Sequence, residues 1–301
     1  MDNGNEIRDF LVSRRARITP EQAGLPVYGG NRRVAGLRRE EVALLAGVSI
    51  DYYVRLERGR AAGASDSVLE GIARALHLDE AERAHLFDLA RAATPAAPRS
   101  PRRPAPREVR PSVRRILDSM TMTPAYVRNA RLDILAANRL GAAVFAPVLA
   151  SPAQPANNAR FLFLDPAARE FYVDWERQAQ DVVAMLRTEA GHNPHDKGLS
   201  NLIGELSTRS EHFRTWWAAH NVRFHRTGVK RFHHPAVGDL TLTYEALDLA
   251  ADAGLRISAY TAEPGTPSDD ALKLLASWAA TLDQGAAAPS PAADGGEHAG
   301  L

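Results

Sequence analysis

Arg39-Glu40-Glu41-Val42-Ala43-Leu44-Leu45-Ala46-Gly47-Val48-Ser49-Ile50-Asp51-Tyr52-Tyr53-Val54-Arg55-Leu56-Glu57-Arg58-Gly59 is the stretch on which the reading of this 301-residue chain turns. Val42, Leu45 and Ala46 place an apolar stripe on a first short helix, and Ala43 is small where a second helix must cross closely. Gly47 can take the left-handed conformation that stops the first helix. Ser49 is a good N-cap for the second, and Val48 can staple onto Tyr53. Tyr53 and Leu56 then point inward. Ile50, Asp51, Tyr52 and Arg55 are left facing outward at the leading end. Two short helices joined by a three-residue turn present such an end to a DNA major groove. The bland alternative is an ordinary helical hairpin in a bundle, but the small residue, glycine, cap and apolar positions all fall in register.

Working outward, everything before residue 94 reads as helix. Glu6–Ile18, Arg38–Ala46, Ile50–Arg58, Val68–Leu76 and Glu80–Ala92 make a five-helix set, with Asp66 and Asp79 as expected N-caps. From Thr94 to Pro111 prolines fall at 95, 98, 101, 104, 106 and 111. Proline lacks an amide donor and has a fixed φ, so this stretch is expected to stay out of helices and central strands. It reads as a semi-rigid basic spacer over an SH3-type docking motif. Residues 93–115 hold seven arginines against Glu108 alone, whereas residues 1–92 balance and residues 116–301 are acidic overall. The basic excess therefore lies beside the first domain, where it can meet a polyanion.

Past the spacer the periods mix. Tyr126–Arg128 and Leu132–Ala137 flank the turn residues Asn129-Ala130-Arg131 and predict a hairpin. Leu240, Leu242, Tyr244 and Ala246 alternate with polar residues, as do Leu255, Ile257 and Ala259, and Val229–His234 adds a third late strand. Between the strand groups lie helices. One begins at Asp165-Pro166, with Trp175, Ala179, Val182 and Leu186 forming a face; Leu199, Leu202, Ile203 and Leu206 form another. Pro267–Leu282 closes the domain. The expected fold is multidomain: an all-α helix-turn-helix domain over residues 1–93, a linker over 94–111, an α+β domain over 112–284 and a disordered tail over 285–301.

Other classes fall away. With no cysteine, disulfides, thiolate metal sites and a cysteine nucleophile are excluded. No apolar run approaches the roughly 18–20 residues of a membrane span, so no membrane insertion is expected. The first residues lack the basic start and apolar stretch of a secretory signal, and a cytoplasmic location follows as the expectation. His192 with His195, and the pair His233-His234, fall short of the three or four convergent ligands zinc needs, so no metal is expected. Neither a Gly-x-Ser-x-Gly elbow nor a phosphate-cradling loop is present. No catalytic residue and no cofactor are assigned.

Ala46-Gly47-Val48-Ser49 followed by Arg55-Leu56-Glu57-Arg58-Gly59 resembles the phage-repressor-like helix-turn-helix family, also called the xenobiotic-response-element type. More narrowly, Gly36-Leu37-Arg38-Arg39-Glu40-Glu41-Val42-Ala43 is similar to the MmyB-like regulators, whose C-terminal ligand-binding domain is PAS-like. That resemblance continues through Asn157-Asn158-Ala159-Arg160-Phe161-Leu162-Phe163-Leu164-Asp165-Pro166, Gly204-Glu205-Leu206-Ser207, Gly228-Val229-Lys230-Arg231-Phe232-His233-His234-Pro235 and Tyr260-Thr261-Ala262-Glu263-Pro264-Gly265. It implies a transcription regulator that binds double-stranded DNA. Arg39 matches a phosphate-contacting position. Ile50, Asp51, Tyr52 and Arg55 match base-facing positions, with Ser49 at their head. Arg58 and Arg60 are expected to hold the DNA backbone. Where the phage repressors often carry glutamines this chain has Ile50 and Asp51, so their operators do not carry over. Asp51 suits a cytosine amino group, Ile50 a thymine methyl and Arg55 a guanine or a phosphate.

The resemblance also implies that some aromatics of the second domain line an apolar cavity able to hold a fatty-acid-like molecule. Phe145, Phe163, Trp217, Phe232 and Tyr244 are the candidates, and Arg231 and His233 are candidates for its polar end, with a solvent-facing role as the alternative. A homodimer reading two half-sites is expected. Two rivals stand beside this reading: a second domain that only dimerises or docks a partner protein, and an enzyme that acquired a DNA-binding module.

Overall fold

A computed structural model of the chain describes residues 3–26, 34–94, 108–152, 154–222 and 226–287. Five helices come first: α1 (Asn3–Arg17), α2 (Arg39–Ala46), α3 (Ile50–Glu57), α4 (Asp66–Ala75) and α5 (Glu80–Ala93). Their inward residues, among them Ile7, Phe10, Leu11, Val42, Tyr53, Leu56, Ile72 and Leu86, form one apolar core. Asp79 caps α5 as expected, accepting from the Glu82 amide at 2.8 Å while the Glu82 carboxylate accepts from the Asp79 amide. Asp66 does not cap α4. Ser65 does, accepting from the Val68 amide, and this puts Asp66 in the first turn, where its charge favours the helix dipole. The stripe expected on α2 is shifted as well: Val42 and Ala43 are buried, whereas Leu45 lies at the exposed margin. Close packing of α2 on α4 selects the small Ala43 for the inner position, and Gly71 of α4 meets the Ala46 carbonyl so closely that a Cβ would lie 2.5 Å from it.

The prolines at 95, 98, 101, 104 and 106 lie outside the described residues, as does the tail from 288. Pro111 does not stay out of helix. It opens α6 (Pro111–Ser119) in the first turn, where the missing amide costs nothing.

The second domain follows as β1 (Ala125–Arg128), β2 (Ile134–Ala137), α7 (Arg139–Val144), α8 (Ala146–Leu149), α9 (Asn158–Leu164), α10 (Ala167–Phe171), α11 (Trp175–His192), α12 (Lys197–Arg209), α13 (Glu211–Ala218), β3 (Thr227–His234), β4 (Gly238–Asp248), β5 (Arg256–Thr261) and α14 (Pro267–Ala287). The strands make one antiparallel sheet in the order β2-β1-β5-β4-β3. Leu132, expected in β2, belongs to the turn instead. It has φ 66°, and the Asn129 side chain organises that turn by accepting from the amides of Arg131 and Asp133. Pro166, expected as the first helical residue, takes the N-cap position of α10 instead of Asp165, whose carboxylate accepts from the Ala167 amide; α10 is short, and α11 begins afresh at Trp175. The closing helix runs on to Ala287, past the expected start of the tail at Gly285.

One sheet face carries Tyr126, Phe232, Leu240, Leu242, Tyr244 and Tyr260, covered by α7 to α14. The other carries Ala125, Val127 and Ile257 under α6. The two domains touch. α5 packs on α11, and Val222, beyond α13, is buried in the core of the first domain.

Candidate nucleic-acid interface and core site

The local sequence builds α3 in the expected way. Gly47 takes φ 69°, ψ 31° and ends α2. The Ser49 hydroxyl accepts from the Tyr52 amide at 3.2 Å and so starts α3. Tyr53, Leu56 and Glu57 are buried; Ile50, Asp51 and Arg55 are exposed, and Tyr52 is half-buried. The Arg55 guanidinium lies over the Tyr52 ring, 4.7 Å from its centroid, which holds it along the outward face. Ser49, with one lone pair spent as a cap, keeps its hydroxyl proton and a second lone pair to offer.

The arginines expected to hold the backbone are not equivalent. Glu57 is buried and accepts from Arg15 Nε at 2.7 Å and from Arg39 Nε. Arg15 also donates to the Leu37 carbonyl. Arg39 is therefore aimed by a buried carboxylate while half of its side chain is exposed. Arg58 and Arg60 are exposed at the far end of α3. Arg8 of α1, which the sequence reading did not single out, joins Arg39, Glu57 and Arg58 in lining one cleft. Only its helical phase, on the exposed flank of the face formed by Ile7, Phe10 and Leu11, hinted at this. Beside it, Glu40, Ala43, Leu44, Val48, Ser49 and Ile50 form a shallow apolar groove between the leading ends of α2 and α3.

In the second domain the five aromatic candidates fall into two groups. Phe145, Phe232 and Tyr244 are buried on the sheet side. Phe145 sits at the centre of a ring cluster, with centroids 5.0 Å from Tyr126, 4.9 Å from Tyr260 and 5.7 Å from Phe232. Phe163 lies elsewhere, between helices, 5.1 Å from Phe213, and Trp217 stacks on the other side of Phe213 at 5.6 Å. Arg231 and His233 take the solvent-facing alternative: Arg231 is paired with Asp174 and His233 with Asp239. The inward residues of β3 are Lys230, Phe232 and His234. His234 Nε2 lies 3.1 Å from the Ala143 carbonyl.

Three buried cations of this domain, Arg128, Arg187 and Lys230, were not foreseen. Arg128 on β1 and Lys230 on β3 each keep only 5% of their surface. Burial lowers the Arg128 guanidinium. Burial, then the field of Arg128, lowers the Lys230 ammonium to about 7, with Asp181 acting against them. A parity count finds Lys230 only once the phase of the strand is known. Among the described residues no group of histidines and acids is arranged to hold a metal, and no helix is long and apolar enough to cross a membrane.

Comparison with known families gives two matches. A model described as the MmyB-like transcription regulator ligand binding domain matches residues 109–275, and one described as a helix-turn-helix domain matches residues 14–86. No curated protein sequence matches the chain.

Proposed function

Since the chain belongs to the MmyB-like transcription regulators, a DNA-binding helix-turn-helix joined to a ligand-binding domain, we propose that it reads an inverted-repeat operator as a homodimer and answers to a small, largely apolar molecule. The observation that carries the DNA reading is the capped α3, with Tyr53 and Leu56 buried and Ile50, Asp51 and Arg55 turned outward. In this reading Ile50, Asp51, Tyr52 and Arg55 meet base edges. Arg39, Arg58 and Arg60, with Arg8 added, hold phosphates, and Ser49 sits at the head of the helix. One such helix reads few base pairs, and pairing two copies doubles the site. The protein acts in the cytoplasm and is a regulator, not an enzyme.

The effector reading rests on the family and on the aromatic character of the sheet-side core, around Phe145, Phe232 and Tyr244, with Phe163 and Trp217 in the neighbouring helical cluster. A fatty acid or its ester is the class of molecule that such an aromatic environment suits. The rival, a second domain that only dimerises, draws support from the close ring packing around Phe145 and from Leu274 and Trp278, exposed one turn apart on α14.

The experiment is selection of an operator from a random DNA pool, followed by sedimentation of the complex and native mass spectrometry of the full chain. Two chains per operator and a co-purifying lipid-sized mass are expected. One chain per operator overturns the dimer. No bound molecule, with no thermal shift from fatty acids of any length, leaves the rival in possession.

A further inference from the structure

We propose that Tyr52 is a positioning residue of the DNA-reading face: its ring seats the Arg55 guanidinium and keeps it from closing on the Asp51 carboxylate, so that the two charges read separate bases. The proposal rests on the base-reading role of α3 and narrows the part of Tyr52 within it. Tyr52 acts through its ring on Arg55, not through its hydroxyl on a base.

Arg55 has two neighbours one turn back on α3, Asp51 four residues earlier and Tyr52 three residues earlier. An acid four residues before a base is the favourable order for a helical ion pair, so Asp51–Arg55 is the contact that helix geometry favours. The structure makes the other one. The guanidinium lies over the Tyr52 ring, 4.7 Å from its centroid. Among the described residues the Asp51 carboxylate has neither a hydrogen bond nor an ion pair. Asp51 and Arg55 are both exposed, where an ion pair is screened and must hold two mobile side chains at once. The ring contact has to hold only one, because Tyr52 is already placed. Its amide donates to the Ser49 hydroxyl at 3.2 Å, and its half-buried ring packs on the edge of the apolar core.

The choice decides what the face can read. Paired, Asp51 and Arg55 would satisfy each other and present a nearly neutral couple. Apart, they present an acceptor-only carboxylate and a five-donor guanidinium one turn apart along α3. A carboxylate facing a phosphate-lined groove is repelled unless a base amino group meets it. Cytosine offers that group, and guanine offers O6 and N7 to the guanidinium fork. The ring of Tyr52 therefore governs two letters through other side chains. An arginine seated beforehand also loses less side-chain freedom on binding.

The test uses the full chain, the duplex that the parent selects from a random pool, single-base-pair variants of that duplex, and a random duplex. Fluorescence anisotropy at fixed salt gives the preference as the ratio of Kd on random to Kd on selected DNA. Tyr52→Leu is expected to lose about fivefold of that preference, the scale of one exposed cation–π contact. The loss should fall on the base pairs whose discrimination Arg55→Ala and Asp51→Ala each erase. Tyr52→Phe, which keeps the ring and lacks the hydroxyl, should retain what Tyr52→Leu loses. Adding Asp51→Ala to Tyr52→Leu should restore discrimination at the base pair of Arg55, because the competing carboxylate is gone. A merely structural defect would persist there, since the double variant still lacks the ring. In NMR spectra of the free protein the Arg55 Hδ protons should carry an upfield ring-current shift in the parent and in Tyr52→Phe, and lose it in Tyr52→Leu.

An equal loss in Tyr52→Phe and Tyr52→Leu overturns the proposal in favour of a base contact by the hydroxyl. Absence of rescue by Asp51→Ala, or full preference in Tyr52→Leu, overturns it and leaves the base-reading role of α3 standing. A parent protein that prefers no duplex over random DNA removes that role, and this inference with it.

Discussion

Arg187, in the last two turns of α11, donates from Nη1 to the Glu6 carboxylate of α1 at 2.7 Å, an ion pair between the two domains. The guanidinium is buried, lies 4.0 Å from the Trp217 ring centroid and also donates to the Trp217 carbonyl. Glu6 thus answers a charge that the second domain has already taken out of water.

Arg187→Ala should cost about 3–5 kcal/mol of stability, the scale for breaking a buried pair from one side. Glu6→Gln should cost less, since the Trp217 contacts remain. Thermal unfolding gives the ranking. Hydrogen exchange should rise in α1 and α5 for Arg187→Ala, and unchanged protection there would mean that the two domains are held by other contacts.

His85 of α5 is buried under Gly191 of α11, where an added Cβ would lie 2.9 Å from its ring, and among the described residues both ring nitrogens lack a partner. Burial lowers it to about 3, and burial with Arg187 lowers His220 to about 4. Both are neutral when folded at pH 7, against about 6.5 unfolded. A lowered value means stability that is full above about pH 6.5 and is lost as pH falls toward the folded values. His192 runs the other way. Its hydrogen bond to Asp88 raises it, so its contribution is present in acid and fades as pH rises. The expected net result is a domain contact that weakens between pH 6.5 and 4. His85→Leu should flatten that slope, measured as the difference from the parent so that carboxylate titrations common to both cancel. Parallel pH profiles would exclude the role of His85.

Arg55→Ala should lose about 1–3 kcal/mol on the selected operator and little on random DNA, if Arg55 bonds a base. Arg39→Ala should weaken both and lower the salt slope by about one unit. Arg8→Ala, on the same cleft, should resemble Arg39→Ala. Fluorescence anisotropy over a salt series separates the two patterns; matching losses on both DNAs for Arg55 and Arg39 would count against the division.

Gly71→Ala and Gly47→Ala test two different uses of glycine. A Cβ at 71 collides with the Ala46 backbone, so α2 and α4 must part, at about 1–3 kcal/mol. A Cβ at 47 meets nothing, and only the φ of 69° costs, about 1–2 kcal/mol. Chemical denaturation should rank Gly71→Ala as no less harmful, and it alone should disturb the seating of α2.

Much of the DNA-facing half was legible because its signals are local. Gly47, Ser49, Tyr53 and Leu56 lie within ten residues, and a stop, a cap and an inward spacing act through the backbone of one turn. Sites of similar composition were misjudged where neighbours compete. Ser65 displaced Asp66 as cap one position away, and Leu45, expected on the inward stripe of α2, is exposed while Val42 and the small Ala43 fill the core.

By itself the sequence determined the helix-turn-helix, the two-domain order and the α+β character of the second domain, all consequences of periodicity and capping within single elements. Only the tertiary structure decided which face of β3 turns inward. Val229, Arg231 and His233 on one side and Lys230, Phe232 and His234 on the other each mix apolar with charged residues, so alternation alone leaves the phase open. Packing against Phe145 and Tyr260 selects Phe232, and Lys230 follows it into the core because it lies two residues away. The same holds for Arg187 and Glu6, 181 positions apart: no local rule couples them, and their pairing exists only because α11 and α1 are brought face to face.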